Sequence, residues 1–386
     1  MQSLESQLEE LQTRSLRRQL REVTSPPGIE MEFAGEKLAN FSSNDYLGLA
    51  GEPFLREAAK RAIDEYGVGT GASRLVCGTF SPHVRLEEKL ADFKGTAAAL
   101  TFSSGYAAAV GTLGALLGGD DVVILDKLCH ASLIDGARLC GAHVRVFPHN
   151  HLGKLESHLQ WARQQHPDAR VLVVTESVFS MDGDLAPLAD MVEIKQRYDA
   201  MLMVDEAHAT GVIGSHGNGL ICALGLGRQV EIHMGTLSKS LGVSGGFICG
   251  SRKLIDLLVN RARSFIYSTA PPPALAAAAM ASLDFLTSPE GEMRRMKLWK
   301  NLRQLEHELP QQKTAIRKIE SAIIPVILGE EEAALSAARA LRKRGFFVPA
   351  IRYPTVAKGS ARLRVTVSAN HTPEQIAALC GALAKL

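Results

Sequence analysis

The sequence has little net charge and no apolar run long enough to cross a membrane. Its 386 residues include 43 Lys and Arg against 41 Asp and Glu, which leaves a net charge of +2. A balance this close to zero gives no electrostatic reason to expect nucleic acid or an anionic membrane as a partner. No uninterrupted apolar stretch reaches the roughly 18 residues that a transmembrane helix needs, so no membrane span is predicted.

Cysteine is sparse as well, with six residues and no CxxC pair. A chain of this length does not depend on disulfides for its core, so we expect reduced and mostly buried cysteines. The N-terminal residues lack an apolar segment and carry Glu5, Glu9 and Glu10, which argues against a secretory or transit peptide. A cytoplasmic protein is expected.

Two common catalytic motifs are missing. The twelve histidines do not cluster and none belongs to an HExxH motif, so no metal site is predicted. Lys239 precedes Ser240 as in a phosphate loop, but Ser238 stands where that loop needs glycine. The run Asp-Glu-Ala-His at 205–208 spells a helicase box, which we interpret as accidental because no phosphate loop accompanies it.

The chain does contain a series of continuous apolar segments separated by helical patterns. The segments are residues 97–102, 121–125, 143–147, 170–175, 200–204, 231–236 and 246–249. Continuous rather than alternating apolar strands indicate a mostly parallel α/β sheet that helices cover on both faces. In such a sheet the ligand binds at the carboxyl ends of the strands.

The two ends of the chain follow other patterns. Leucines at 4, 8, 11, 16 and 20 predict one amphipathic helix that ends before residues 26–28, and a hairpin follows around Gly35. Ser81 and Pro82 are predicted to cap and begin a helix.

After the prolines at 271–273, a helical region is expected to continue to about Leu309. Strands are predicted at 322–328, 346–351 and 362–368, with a helix over 331–344, and Thr372 and Gln375 form a capping box for the last helix. We predict an N-terminal segment over 1–43, a large α/β domain over 44–273 and a small α+β domain over 274–386.

Polar residues follow several predicted strands. The turn at 103–106 leads into an Ala-rich helix, whose N-terminus presents free N–H groups to an anion. Asp205 ends another strand with His208 three residues later, and Lys239 follows a third strand. Alone, these could be a strand–helix joint, a helix-capping aspartate, a core histidine and a surface lysine. Together they supply the amine, carboxylate and anion site that pyridoxal phosphate (PLP) needs.

The chain resembles the α-oxoamine synthases, a family of fold type I PLP enzymes. The resemblance covers nearly the whole chain and rests on residues 41–49, 69–74, 103–106, 130–132, 177–184, 205–208, 236–239 and 362–364. It implies a large, mostly parallel domain of the seven-stranded type, together with a smaller α+β C-terminal domain.

The resemblance also implies roles for individual residues. Lys239 would form the Schiff base with PLP and then remove and return a proton at Cα. Asp205 would pair with the pyridinium nitrogen, His208 would hydrogen-bond the ring oxygen, and His130 would stack on the ring and contact substrate. The remaining cofactor contacts would be Gly105, Tyr106, Ser180, Thr236 and, from the neighbouring subunit, Thr269, so a homodimer is expected.

The implied reaction is a decarboxylative condensation. The chain looks most like those family members that join L-alanine to a pimeloyl thioester, carried by CoA or by an acyl carrier protein. Arg352 would hold the amino acid carboxylate, with Thr355 close by, and Asn44 and Arg21 would be substrate-side contacts.

Two departures from the family pattern concern the substrate. Ala209 and Tyr353 stand where other residues are usual, so a family member with a different amino acid or acyl group remains an alternative. A catalytically inactive subunit that serves as a binding partner is the other, and the presence of Lys239, Asp205 and His208 counts against it.

Overall fold

The computed structural model describes residues 3–309 and 318–386. Its strands are β1 (Glu30–Phe33), β2 (Glu36–Asn40), β3 (Ala98–Phe102), β4 (Val122–Asp126), β5 (His143–Phe147), β6 (Val171–Glu176), β7 (Met201–Asp205), β8 (Ile232–Thr236), β9 (Gly246–Gly250), β10 (Ile323–Gly329), β11 (Phe346–Phe347), β12 (Ala350–Ile351) and β13 (Ala361–Thr366).

Its helices are α1 (Leu4–Thr13), α2 (Pro53–Tyr66), α3 (Arg74–Cys77), α4 (Ser81–Lys94), α5 (Gly105–Leu116), α6 (Ala131–Leu139), α7 (Leu152–Gln165), α8 (Leu188–Arg197), α9 (Leu220–Ala223), α10 (Arg252–Arg261), α11 (Arg263–Ile266), α12 (Pro273–Thr287), α13 (Pro289–Glu308), α14 (Glu331–Arg342) and α15 (Pro373–Leu383). Across 3–309 and 318–386, none of these helices is both long and apolar enough to span a bilayer.

The contacts between residues divide the chain into two compact units. The sheet unit comprises Glu52–Ser180 and Asp184–Arg295, and the terminal unit comprises the described residues of Met1–Gly51, Met181–Gly183 and Met296–Leu386. This grouping places residues 274–295 with the sheet and residues up to 51 with the C-terminal strands. The three-part domain division made from the sequence stays a prediction.

The sheet unit is built on one seven-stranded sheet in the order β3-β9-β8-β7-β6-β4-β5. The pairs β8–β7, β7–β6, β6–β4 and β4–β5 are parallel, whereas β9 runs antiparallel to both β3 and β8. Every residue of β4, β6 and β8 is buried, as expected for a sheet that helices cover on both faces. The predicted mostly parallel α/β class is confirmed.

The link between β8 and β9 differs from the other links within the sheet, because it is a short hairpin loop without a helix. Residues 237–245 form this lysine loop, and it is closed at its base by the Leu237 N–H, which donates to the Gly245 carbonyl at 3.0 Å. The Thr236 hydroxyl donates to the same carbonyl at 2.8 Å. The loop therefore starts and ends at one point on the sheet edge.

The terminal unit holds two three-stranded sheets, β1-β2-β11 and β10-β13-β12. The hairpin predicted around Gly35 is present as β1 and β2, and the Thr372 capping box begins α15. His371 stacks on Phe41 with ring centroids 4.0 Å apart, which ties the start of α15 to the chain beyond β2.

Three details of the expected secondary structure are wrong. The first helix ends at Thr13 rather than near Leu20, because Ser15 adopts a φ of +55° that no helix continues through. The expected strand over 346–351 is split into β11 and β12, in different sheets, because Pro349 lacks an N–H to donate to a ladder. Helix α4 is capped by Phe80 rather than by Ser81.

Candidate active site

A cavity of about 250 Å³ lies in the sheet unit, where β6, β7 and β8 reach their carboxyl ends. Its lining residues come from five separate parts of the chain: Ser104, Gly105, Tyr106, His130, Ser132, Glu176, Asp205, Ala207, His208, Met234, Thr236, Ser238 and Lys239. Seven of the residues singled out from the sequence are among them, namely Gly105, Tyr106, His130, Asp205, His208, Thr236 and Lys239. A strand-end crevice of this kind is where α/β sheets bind their ligands.

Lys239 reaches the cavity from the lysine loop. Its Nζ lies 2.7 Å from Nε2 of His208, which follows the neighbouring strand β7. Gly242 turns the loop back at a φ of +70°, and its N–H donates to the Lys239 carbonyl at 2.9 Å. The small residues and the closed base thus direct one amine at the sheet edge.

Asp205 is the last residue of β7 and is buried. Its Oδ1 accepts a hydrogen bond from the Ala207 N–H at 2.8 Å, so the carboxyl caps the turn that carries His208. Burial raises the pKa of Asp205, and the nearby charge of Lys239 opposes that rise. A buried carboxyl that has room for a cation beside it suits a protonated ring nitrogen.

Glu206, within the run at 205–208, forms a buried ion pair. Its carboxylate accepts a hydrogen bond from Lys94 Nζ at 2.9 Å, and both side chains are fully buried. Lys94 also donates to the Thr210 hydroxyl and the Asn218 carbonyl, each at 2.9 Å. Since Asp205 directly precedes Glu206, this network anchors the turn that presents Asp205 and His208.

His130 caps helix α6 with its own ring. Nδ1 accepts the Ser132 N–H at 3.2 Å, and because a backbone N–H only donates, Nδ1 carries no proton. Burial lowers the pKa of His130, with Lys239 adding to that effect and Asp205 opposing it. The ring is therefore neutral near pH 7, with its proton on Nε2, and can lie against an aromatic ring without carrying charge.

The N-terminus of α5 forms an anion cradle in the cavity. The Ser104 hydroxyl accepts the Ala107 N–H at 3.1 Å, and the Thr236 and Ser238 hydroxyls, which lie 2.8 Å apart, belong to residues that line the same cavity. A Cβ on Gly246 would stand 2.4 Å from the Ser104 carbonyl oxygen and 2.5 Å from the Gly105 nitrogen. Only glycine permits this approach, which holds the helix start against the strand.

Three of the residues predicted to bind the cofactor differ in where they lie. Tyr106 lines the cavity, is 49% exposed, and donates its hydroxyl to Asp135 at 2.9 Å. Ser180 is buried behind the lining, with its N–H donating to Glu176 Oε2 at 3.2 Å. Thr269 lies in another small cavity of the sheet unit, beside Ser103 and Ser268. Its predicted contact concerns the neighbouring subunit and stays a prediction.

Glu176 is a charged lining residue to which the sequence analysis assigned no role. It ends β6 with its side chain buried, and its Oε1 has no hydrogen-bond partner within the described ranges. Its place after a predicted strand was visible in the sequence. Its pairing with Asp205 across two strands was not, because that depends on their register.

Four of the five predicted substrate contacts, Arg21, Asn44, Arg352 and Thr355, belong to the terminal unit, whereas His130 lies in the sheet unit. Arg21 and Arg352 line a cavity of about 620 Å³ together with Arg17, Arg18, Arg339 and Arg342. Arg18 Nη2 donates to the Thr355 hydroxyl at 3.2 Å, and Arg352 Nη1 donates to the Ser15 carbonyl. Burial lowers the pKa of Arg352, and the charges of Arg18 and Arg21 add to that effect.

Asn44 lies apart from those arginines. Its Oδ1 accepts hydrogen bonds from Arg364 Nη1 at 3.0 Å and from the Tyr46 hydroxyl at 3.2 Å. Burial raises the pKa of Tyr46 to about 12, so its hydroxyl stays protonated. Arg364 is a buried arginine that the sequence analysis left without a role, although it belongs to the motif at 362–364.

The residues of the first cavity fit PLP. Lys239 offers an amine for an aldehyde, Asp205 offers a buried carboxyl for a ring nitrogen, and His208 offers a ring donor. The α5 cradle supplies helix N–H groups for a phosphate, with the hydroxyls of Thr236 and Ser238 nearby. This donor set matches the needs of an aromatic aldehyde that bears a phosphate.

Comparisons with known proteins agree with this geometry. The model of the family "Aminotransferase class I and II" matches residues 36–383. The 8-amino-7-oxononanoate synthase of Geobacter sulfurreducens is 44% identical over 385 residues, covering 100% of this chain and 97% of that protein.

Solved structures give the same result. A serine palmitoyltransferase from S. paucimobilis, solved with a bound PLP–myriocin aldimine, has a TM-score of 0.91 and 33% identity, with 98% of this chain and 95% of that chain covered. The 8-amino-7-oxononanoate synthase of Francisella tularensis has a TM-score of 0.77 and 28% identity, with 90% and 97% covered.

Proposed function

The chain belongs to the class I and II aminotransferase family, and on that premise we propose that it condenses L-alanine with a pimeloyl thioester. The products would be 8-amino-7-oxononanoate, CO2 and the free thiol, as a step of biotin synthesis. The observation that carries this proposal is the 44% identity, over the whole chain, to a protein of that name. PLP is the cofactor, in keeping with the donor set of the cavity and with the PLP-containing structural relative.

Bound PLP supplies an aldehyde that condenses with amines and an electron-poor ring that accepts the electron pair left at Cα. Asp205 would hold the ring nitrogen in its protonated form, which would maintain that electron demand. The anion cradle at Ser104 and Gly105 would bind the phosphate. His130, neutral in this site, would lie against the ring.

Lys239 moves the proton in this proposal. With PLP and alanine bound, the free amine of Lys239 would take the proton from the alanine Cα and later return it. His208 lies 2.7 Å from the Lys239 amine and can share that proton while it is held. Asp205 and His208 lie on the same turn. The carboxyl group that would pair with the ring nitrogen and the imidazole that contacts the Lys239 amine are therefore held at a constant distance from each other.

The proposal extends to substrate contacts and assembly. Arg352 would bind the alanine carboxylate, with Thr355 nearby, and Arg21 and Asn44 would contact the acyl substrate. Thr269 would reach the phosphate bound to the other subunit of a homodimer. The thiol would be CoA or an acyl carrier protein, and the six cysteines, which are all free, suit a cytoplasmic site.

The test is to identify the product. Purified protein with PLP, L-alanine and pimeloyl-CoA should release CO2 and yield a compound with the mass of 8-amino-7-oxononanoate, and Lys239→Ala should yield none. Replacing the CoA thioester by a pimeloyl carrier protein compares the two carriers. Absence of the amino ketone with both thioesters would contradict the proposal.

A second candidate is a sister enzyme, such as glycine C-acetyltransferase, 5-aminolevulinate synthase or a serine acyltransferase. The observation in its favour is the TM-score of 0.91 to serine palmitoyltransferase, against 0.77 to the Francisella synthase. Offering Ala, Gly and Ser separately, and following the visible absorbance of the cofactor, distinguishes these enzymes. A marked preference for Gly or Ser would reject the alanine assignment.

A further inference from the structure

Glu176 and Asp205 occupy paired positions at the ends of the parallel strands β6 and β7. Side chains at paired positions point to the same face, and neighbouring strands lie about 4.8 Å apart. Both residues accordingly line one cavity. The Ser177 N–H donates to the Asp205 carbonyl at 2.9 Å, so the strands remain joined just beyond the pair. Two buried carboxyl groups this close do not both ionise without a large cost.

The hydrogen bonds of the two carboxyl groups differ. Asp205 Oδ1 accepts the Ala207 N–H at 2.8 Å, a shorter contact than the 3.2 Å between Glu176 Oε2 and the Ser180 N–H. Glu176 Oε1 has no hydrogen-bond partner among residues 3–309 and 318–386. Because Oε1 accepts no hydrogen bond from these residues, it can carry a proton, and the protonated carboxyl group can then donate a hydrogen bond to a bound molecule.

The charges around Glu176 act in both directions. Burial and the neighbouring Asp205 raise the pKa of Glu176 to about 8, although the charge of Lys239 and the backbone N–H of His130 oppose that rise. Cys129 adds no charge, because burial raises the pKa of its thiol well above the ordinary value. Burial also lowers the pKa of His130, which leaves its ring neutral.

We propose that Glu176 is the protonated member of a carboxyl pair, a neutral acid that leaves Asp205 as the single anion of the pair. The proposal rests on the PLP site described above but not on the identity of the amino acid or thioester. Glu176 acts as a positioning residue. Its Oε2 holds the Ser180 turn, and its uncharged state keeps a second negative charge away from the carboxyl that pairs with the ring nitrogen.

The first test measures the affinity of the full-length protein for PLP at pH 7. Glu176→Gln replaces a neutral acid by a neutral amide of the same shape, so the dissociation constant of PLP should stay within about threefold of the unmodified value. Glu176→Leu removes the acceptor for the Ser180 N–H and should weaken binding about tenfold, which corresponds to one hydrogen bond of about 1.4 kcal/mol. Asp205→Asn removes the anion and should weaken binding at least as much.

The second test reads the proton directly by difference infrared spectroscopy of the holoenzyme. The carbonyl stretching band of a protonated carboxyl group should be present at pH 6, should disappear as the pH rises through about 8, and should be missing in Glu176→Gln. Isotope-labelled glutamate in the unmodified protein gives the same information if the variant does not fold.

Two outcomes would overturn the proposal. One is the absence of a glutamate-dependent carboxyl band at pH 6, and the other is a loss of PLP affinity of tenfold or more in Glu176→Gln at pH 7. Failure of the proposed reaction is distinguishable, because it would appear as missing amino ketone product while PLP binding and the infrared band remain.

Discussion

The amine of Lys239 lies 2.7 Å from Nε2 of His208, although the two residues are 31 positions apart in the chain. The contact exists because β7 and β8 are parallel neighbours, with Asp205 paired with Met234. His208 and Lys239 each lie three positions after the last residue of their strand, Asp205 in β7 and Thr236 in β8. An imidazole at this distance can accept a proton from an ammonium group or donate one to a free amine.

Replacing Lys239 tests whether this amine carries the chemistry. Lys239→Ala should lose the visible absorbance of covalently attached PLP and lower product formation by at least about 10²-fold, because the proton carrier is removed. Lys253→Ala, on the exposed start of α10, is the matched control and should leave both unchanged. Normal spectra and rates in Lys239→Ala would eliminate this lysine as the reactive group.

The close approach of Gly246 to the start of α5 predicts an effect on phosphate binding. Gly246→Ala places a Cβ within 2.5 Å of the Ser104 carbonyl and Gly105 nitrogen, so the helix start must move and PLP should bind at least about tenfold more weakly. Gly114→Ala, on the same helix, meets no heavy atom within 4 Å and should bind PLP normally. Equal affinities in the two variants, measured by fluorescence titration, would refute this account of the cradle.

The buried pair of Lys94 and Glu206 predicts a large loss of stability when it is broken. Lys94→Met leaves the fully buried Glu206 carboxyl group without its cation, which should cost about 3–5 kcal/mol of unfolding free energy. Lys60→Met breaks the exposed pair with Glu57 and should leave the unfolding free energy nearly unchanged, because solvent screens this pair. Urea denaturation measures both, and similar losses would show that burial does not decide the effect.

His149 predicts a pH-dependent part of the stability. Burial alone would lower its pKa, but the hydrogen bonds and charges of Asp126 and Asp184 outweigh burial and raise the pKa to about 10 from the ordinary 6.5. A histidine whose pKa is raised by folding stabilises the protein fully below about pH 6.5, and this contribution is lost as the pH rises to about 10. The unfolding free energy should fall by up to about 1.4 kcal/mol per pH unit over that range.

Comparing His149→Gln with the exposed His307→Gln isolates this effect. The first variant should flatten the decline of unfolding free energy between pH 6.5 and 10, and the second should leave it as in the unmodified protein. If the unfolding free energy of His149→Gln still falls as steeply as that of the unmodified protein, other groups cause the fall.

Much of the sheet and the cavity could be predicted from the sequence. Continuous apolar runs located the strands to within a residue or so, because a strand that helices cover on both faces is mostly apolar. Polar residues directly after those runs then had to meet at one edge. Asp205, His208 and Lys239 line a single cavity for this reason.

Other features depend on information that a local pattern does not hold. The leucines of α1 repeat at helical spacing, yet Leu4 is 74% exposed in the structure and the helix ends at Thr13. The spacing of apolar residues indicates which face a helix would bury, but it does not indicate the residue at which the helix ends. Pairing of Glu176 with Asp205 is a matter of strand register, and the proposed place of Thr269 involves a second chain.

The hairpin between β8 and β9 limits how far the reactive lysine can travel. Both ends of its loop are fastened to the sheet by hydrogen bonds to the Gly245 carbonyl. A loop fastened at both ends in this way cannot accommodate an extra residue without moving the Lys239 amine away from the cavity. The enzyme should therefore tolerate insertions poorly at 237–245, whereas at 67–71, where Gly67, Gly69 and Gly71 each have open space around them, an added residue has room.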